Sequence, residues 1–182
     1  MAKTPHTIGR SDEADARGLE LGRREGEALG RTLRHMIDEV ADTGDEIASG
    51  DYLIGFAAEK AEGMYLPRDG RLEWREPEDE NVHLEVAVRD HADGRLIPGL
   101  DVRVTVTDED GQEIGTHEHP LLWHPYLYHY GRNWHIPRAG RYSLRVRFEA
   151  PRFARHDRKN GCRLSEGADV TFDNVMLQTG KE

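Results

Sequence analysis

Three stretches of the chain alternate apolar and polar residues with a period of two: VHLEVAV (82–88), LDVRVTVTD (100–108) and RYSLRVRFEA (141–150). That period belongs to a strand with one face in a core. It also fixes the register, because a slip of one residue would turn Val82, Leu84, Val86 and Val88 to the wrong side. Turn signals separate the stretches: Asp93-Gly94, Asp110-Gly111 (a strong hairpin signal) and Gly140. A loop with Pro151, Asn160 and Gly161 leads to a further strand, ADVTFDNVML (168–177). Short strands joined in this way predict an all-β fold, an antiparallel β-sandwich.

Upstream the pattern is less uniform. YLIGFAAE (52–59) is an apolar run whose period does not decide between helix and strand. GMYLPRDGRLEW (63–74) carries the turn residues Pro67, Asp69 and Gly70, and residues 76–81 form an acidic loop. The first 48 residues are polar and read as a tail followed by an N-terminal helix, with residues 49–182 as the sandwich domain. Ser11 is a good N-cap, with Asp12, Glu13 and Asp15 at the positive end of the helix dipole. Leu19, Leu29, Leu33, Met36, Ile37 and Val40 recur at helical spacing, so the helix extends to about Asp42, with Gly44 just past its end. Gly18, Gly22, Gly26 and Gly30 repeat every four residues along it. Each costs about 1 kcal/mol relative to Ala in a helix. Such a stripe either lets another backbone approach closely or marks a weak, frayed segment.

A net charge of -10 argues against a nucleic-acid partner, since phosphate binding favours the opposite sign. The single cysteine, Cys162, excludes a disulfide framework and a CxxC metal knuckle. No run of apolar residues is long enough to span a membrane. The N-terminus has no apolar stretch like that of a signal peptide, so a cytoplasmic location is expected for the chain as written. HExxH, GxSxG, GxxxxGK and GxGxxG are all missing, which leaves no marked catalytic centre.

Histidine is the residue that stands out. The chain has ten. His83 and Glu85 stand two apart on a strand and point the same way. His117 and His119 share that relation in THEHP. LLWHPYLYHYGRNWHIP (121–137) adds His124, His129 and His135 amid Trp and Tyr, and is either a core strand with polar edges or the wall of a site. His156 lies in a loop. Neutral imidazole is the commonest ligand for transition metals. With one thiol and many imidazoles and carboxylates, the donors suit copper, iron or zinc.

GMYLP (63–67), NVHLEVAV (81–88), HYGRNWHIPRAGRYSLRV (129–146) and FARHDRKNG (153–161) occur in an order that resembles the periplasmic high-affinity iron-transport lipoproteins, also known as pathogen-specific membrane antigens. The resemblance implies an immunoglobulin-like sandwich, commonly a homodimer, that binds copper and iron or manganese and acts outside the cytoplasm beside an iron permease. It implies His83, Glu85, His129 and His156 as metal ligands. The family's methionine ligand falls at Leu122, and His124 is the nearest replacement. Loss of a thioether shifts preference from Cu(I) toward harder ions. The missing signal peptide and the glycine-striped helix depart from the family. The expectation is a non-enzymatic metal-binding protein of iron or copper transport. The alternatives are an immunoglobulin-like interaction module with a degenerate metal site, and a metal-dependent redox enzyme on the same ligands.

Overall fold

A computed structural model of the protein describes residues 6–182. A helix α1 (Ala16–His35) runs into a π-helical turn (Met36–Val40). Eleven strands follow: β1 (Thr43–Ser49), β2 (Tyr52–Glu59), β3 (Met64–Arg68), β4 (Arg71–Arg75), β5 (Val82–Asp90), β6 (Val102–Asp108), β7 (Glu113–His119), β8 (Leu121–His124), β9 (Leu127–Trp134), β10 (Gly140–Phe148) and β11 (Ala168–Leu177). One sheet has the order β1-β2-β5-β9-β8 and the other β11-β10-β6-β7, with every pairing antiparallel. The expected sandwich is formed. Its core interleaves Val82, Leu84, Val86 and Val88 of β5 with Val102, Val104 and Val106 of β6 and Leu144 and Val146 of β10.

The undecided run 52–59 is strand β2, paired with β5 along its whole length. The turn-rich segment after it is a hairpin, β3–β4, whose two loop residues Asp69 (φ 49) and Gly70 (φ 77) both adopt left-handed conformations. That is the backbone a two-residue hairpin turn needs.

The helix begins later than Ser11. The Ser11 hydroxyl accepts from the amides of Glu13 and Ala14 and makes a local turn, and the Asp15 carboxylate caps α1 by accepting from Gly18 N at 2.7 Å. The glycine stripe divides in two. A Cβ on Gly26 would lie 1.8 Å from the carbonyl oxygen of Asp93, and one on Gly94 would lie 3.2 Å from the Gly26 backbone. Close backbone packing is therefore the reason for Gly26. At Gly18 and Gly22 a Cβ would meet only side chains, at ordinary distances of 3.4 Å or more. Below this contact Leu33 and Met36 pack on Ala57, Ala87 and Leu127, on the outer face of the β2-β5-β9 sheet.

This packing alters the reading of β5. The alternation marks one core face and one polar face, yet both faces are buried: His83 is 0% exposed and Glu85 4%. The strand lies in the middle of its sheet, and the N-terminal helix covers the side away from the sandwich core.

Candidate metal centre

His83 and Glu85 project from that outer face of β5. β9 runs antiparallel beside it, with Glu85 opposite Gly131 and His83 opposite Asn133. His129, two residues before Gly131, therefore points from the same face. His129 Nε2 lies 3.2 Å from Glu85 Oε1, and His83 Nε2 lies 3.9 Å from the same oxygen. One donor atom from each of the three residues falls within 4.8 Å of the others.

The donors are oriented but unused. Asn133 gives its Nδ2–H to the Glu62 carbonyl at 2.7 Å, which turns its Oδ1 toward His83 Nδ1 at 2.8 Å. His83 Nδ1 is thus the protonated nitrogen, and Nε2 presents its lone pair to the carboxylates. His83 Nε2 and both ring nitrogens of His129 are buried without a hydrogen-bond partner. Buried polar atoms are rarely left unpaired, because each unmade bond costs about 1–3 kcal/mol. A metal ion would satisfy His83 Nε2 and His129 Nε2, the nitrogens that face Glu85, together.

The electrostatics agree. Burial, then the charges of Glu59 and Glu62, pushes the Glu85 carboxyl up to about 8. Burial likewise raises Glu59 to about 7 and lifts Glu62. Burial drives His129 down to about 3 and lowers His83. At neutral pH the apo centre is therefore two neutral imidazoles beside a protonated carboxyl. A cation would replace the carboxyl proton and stabilise the carboxylate.

The other histidines are distributed around it. His124 lies at the rim: its ring centroid is 6.4 Å from that of His129, and its buried Nδ1 has no partner. His156 is not brought to the cluster. Its side chain is 96% exposed and pairs with Glu13 at 3.5 Å, before the start of α1. The His83 cluster lies by Met36, past the helix's far end, and a 20-residue helix spans about 30 Å. His119 accepts from the Trp134 indole at 3.0 Å, and His117 packs on that ring at a tilt of 58°, with centroids 4.5 Å apart, so this pair serves packing. His135 bonds the Asp79 carbonyl at 2.7 Å.

Leu122 is opposite His129 across β8–β9. A Cβ on Gly131 would lie 2.9 Å from both Leu122 Cδ1 and His129 Cδ2, so the leucine methyl and the imidazole crowd the same side of Gly131. Hydrocarbon occupies the place where the resemblance puts sulfur.

Three site residues escaped sequence reasoning. Glu62 brings an oxygen to 3.7 Å from His83 Nε2. Glu59 is opposite His83 on β2, a relation that the strand register would have revealed had 52–59 been read as a strand. By its spacing Met36 is simply one of the apolar residues of the helix. It is buried, and its sulfur accepts from the Tyr126 hydroxyl at 3.6 Å.

Comparison with known proteins gives consistent matches. The as-isolated FetP of uropathogenic Escherichia coli superposes with a TM-score of 0.59 and 22% identity, covering 74% of this chain and 95% of that one. Copper-reconstituted P19 of Campylobacter jejuni gives 0.63 and 18%, covering 76% and 96%. These likenesses establish a shared fold. Comparison with curated proteins returns no match. The sequence matches the model of the Fe2+ transport proteins from residue 44 to residue 175, a span holding all but the first residue of the five-stranded sheet and all three clustered donors, and the chain belongs to that family.

Proposed function

We propose that His83, Glu85 and His129 hold a transition-metal ion as cargo, with His124 the nearest further nitrogen donor. The observation that carries this is the set of buried, unpartnered imidazole nitrogens facing a buried carboxyl. Family membership supplies the context of iron transport. The copper-bound state of the Campylobacter relative adds copper to iron, manganese and zinc as ions to test. Two imidazoles and a carboxylate accept all four. The transport description of the family favours carriage rather than turnover. On this reading the protein works outside the cytoplasm and passes its ion toward a membrane permease.

A homodimer is part of the same reading. β8 is a sheet edge, and its Trp123 (69% exposed), with Tyr128 opposite on β9 (50%), offers an aromatic surface. Sedimentation of wild type and Trp123→Ala tests it: a dimer that persists unchanged in the variant removes this surface from consideration.

The decisive experiment is titration calorimetry with Fe(II), Mn(II), Cu(II) and Zn(II). One ion per chain is expected, with binding lost in His83→Ala and His129→Ala and retained in His156→Ala. No stoichiometric binding, or unchanged binding in the first two variants, would favour an interaction module over a carrier.

A further inference from the structure

Among the described residues three donors cluster, His83, Glu85 and His129, all from the sheet, with Glu62 and His124 at their edge. A tetrahedral ion needs a fourth ligand. The side of the cluster away from the sandwich core is closed by the N-terminal helix and its π-helical turn. Between helix and sheet is a cavity with about 20 Å³ of room, lined by Leu33, Met36, Ile37 and Ala87 together with Glu85 and His129. That is enough for one water-sized occupant. Within it the helix contributes hydrocarbon from Leu33 and Ile37, and only the Met36 thioether can donate electrons to a cation.

The sulfur is placed rather than free. Met36 is 2% exposed, and Tyr126 Oη donates to its Sδ at 3.6 Å. Tyr126 is itself held edge-on against His124, with ring centroids 4.3 Å apart. The thioether is thus tied to a residue packed against His124, at the rim of the centre. π-helical turns are rare and occur disproportionately at functional sites. Here the turn begins at Met36.

We propose that the Met36 thioether is a ligand of the same ion, so that loading staples the N-terminal helix onto the sheet. This rests on the metal reading of His83, Glu85 and His129. It has two consequences. A thioether among imidazoles favours Cu(I) over harder ions. The helix, which otherwise holds on by Gly26, Gly30 and a small apolar cluster, becomes a reporter of occupancy.

The test compares wild type with Met36→Leu, a near-isosteric change that conserves core volume. Both are loaded anaerobically with Cu(I) in a Cys162→Ser background, which removes the free thiol. X-ray absorption at the copper edge should show a sulfur donor in wild type and none in Met36→Leu. Cu(I) affinity, measured by chelator competition, should fall about tenfold or more. Mn(II) affinity should hold. Amide exchange over residues 26–40 should slow on loading in wild type only. Copper bound by nitrogen and oxygen alone in wild type, or equal Cu(I) affinity in the variant, overturns the Met36 assignment and leaves the three-residue centre standing. No binding of any ion by wild type defeats both.

Discussion

Asn133 Oδ1 accepts the Nδ1 proton of His83 at 2.8 Å, and the Asn133 amide is itself fixed by the backbone of Glu62. A ligating imidazole needs such a partner to hold its tautomer and its ring plane, and outer partners of this kind are worth about 10–100-fold in metal affinity. Asn133→Ala should therefore weaken metal binding by about that factor. Asn133→Asp, which still accepts from Nδ1, should recover most of it. Calorimetric titration with Mn(II) reads the effect, and equal affinity in Asn133→Ala would show that the bond is only structural.

The pH dependence of the apo protein follows from two carboxyls and a histidine that run in opposite directions. Folded Glu85 titrates at about 8 against an ordinary 4.5, so across that window the folded state holds a proton that the unfolded chain has lost. Its contribution therefore lowers stability as pH rises from 4.5 to 8. Glu59, raised to about 7, acts the same way. Folded His129 titrates at about 3 against an ordinary 6.5, so its contribution is complete above 6.5 and is lost as pH falls toward 3. Between pH 6.5 and 8 the histidine is silent and the carboxyls dominate. The apo melting temperature should fall across this interval, less steeply in Glu85→Gln, which carries no titrating proton. At pH 7 metal binding should release about one proton per ion from Glu85, seen as a buffer-dependent calorimetric enthalpy. Enthalpies that are the same in every buffer would contradict the assigned protonation.

The four helix glycines should not respond alike to alanine. At Gly26 a Cβ would meet the Asp93 carbonyl at 1.8 Å, and backbone cannot yield as a side chain can. Gly26→Ala should cost about 3 kcal/mol or detach the helix outright. Gly18→Ala meets only Ala14 and Asp15, at 3.4 Å and beyond, and should add up to about 1 kcal/mol through helix propensity. Chemical denaturation monitored by far-UV circular dichroism measures both. Similar effects at the two positions would mean that the stripe is not a docking surface.

These glycines also show where sequence reasoning stops. A period of four identifies a bare helix face, but not which turn of the helix meets another backbone, since Asp93 and Gly94 lie some seventy residues on. The β5 alternation located the core correctly because a strand's two faces are written locally. That its polar face is buried as well depends on a helix packing across the sheet, which no local pattern encodes. His83, Glu85 and His129 were legible because strand geometry and family resemblance converged on them. Glu62 reaches the centre from a β2–β3 connection and Met36 from a helix, and each is brought there by tertiary packing alone. His156 illustrates the reverse: its motif matches the family while its side chain points to solvent beside Glu13.

Leu122 offers a direct probe of ion preference. It is opposite His129 in the β8–β9 register, and its methyl group and the imidazole both crowd Gly131. Leu to Met is a volume-conserving exchange that costs less than about 1.5 kcal/mol in a core. Leu122→Met would place a thioether beside His129 from the sheet side. Cu(I) affinity should rise relative to wild type, while Mn(II) affinity stays level or drops, because sulfur is a poor donor for the harder ion. In a Met36→Leu background the same substitution should restore Cu(I) binding without restoring the slowed amide exchange of the helix, since the new sulfur comes from β8. Competition titration and hydrogen exchange on the double variant separate the two roles. A Leu122→Met protein with unchanged Cu(I) affinity would place the bound ion away from the His129 face that Leu122 borders.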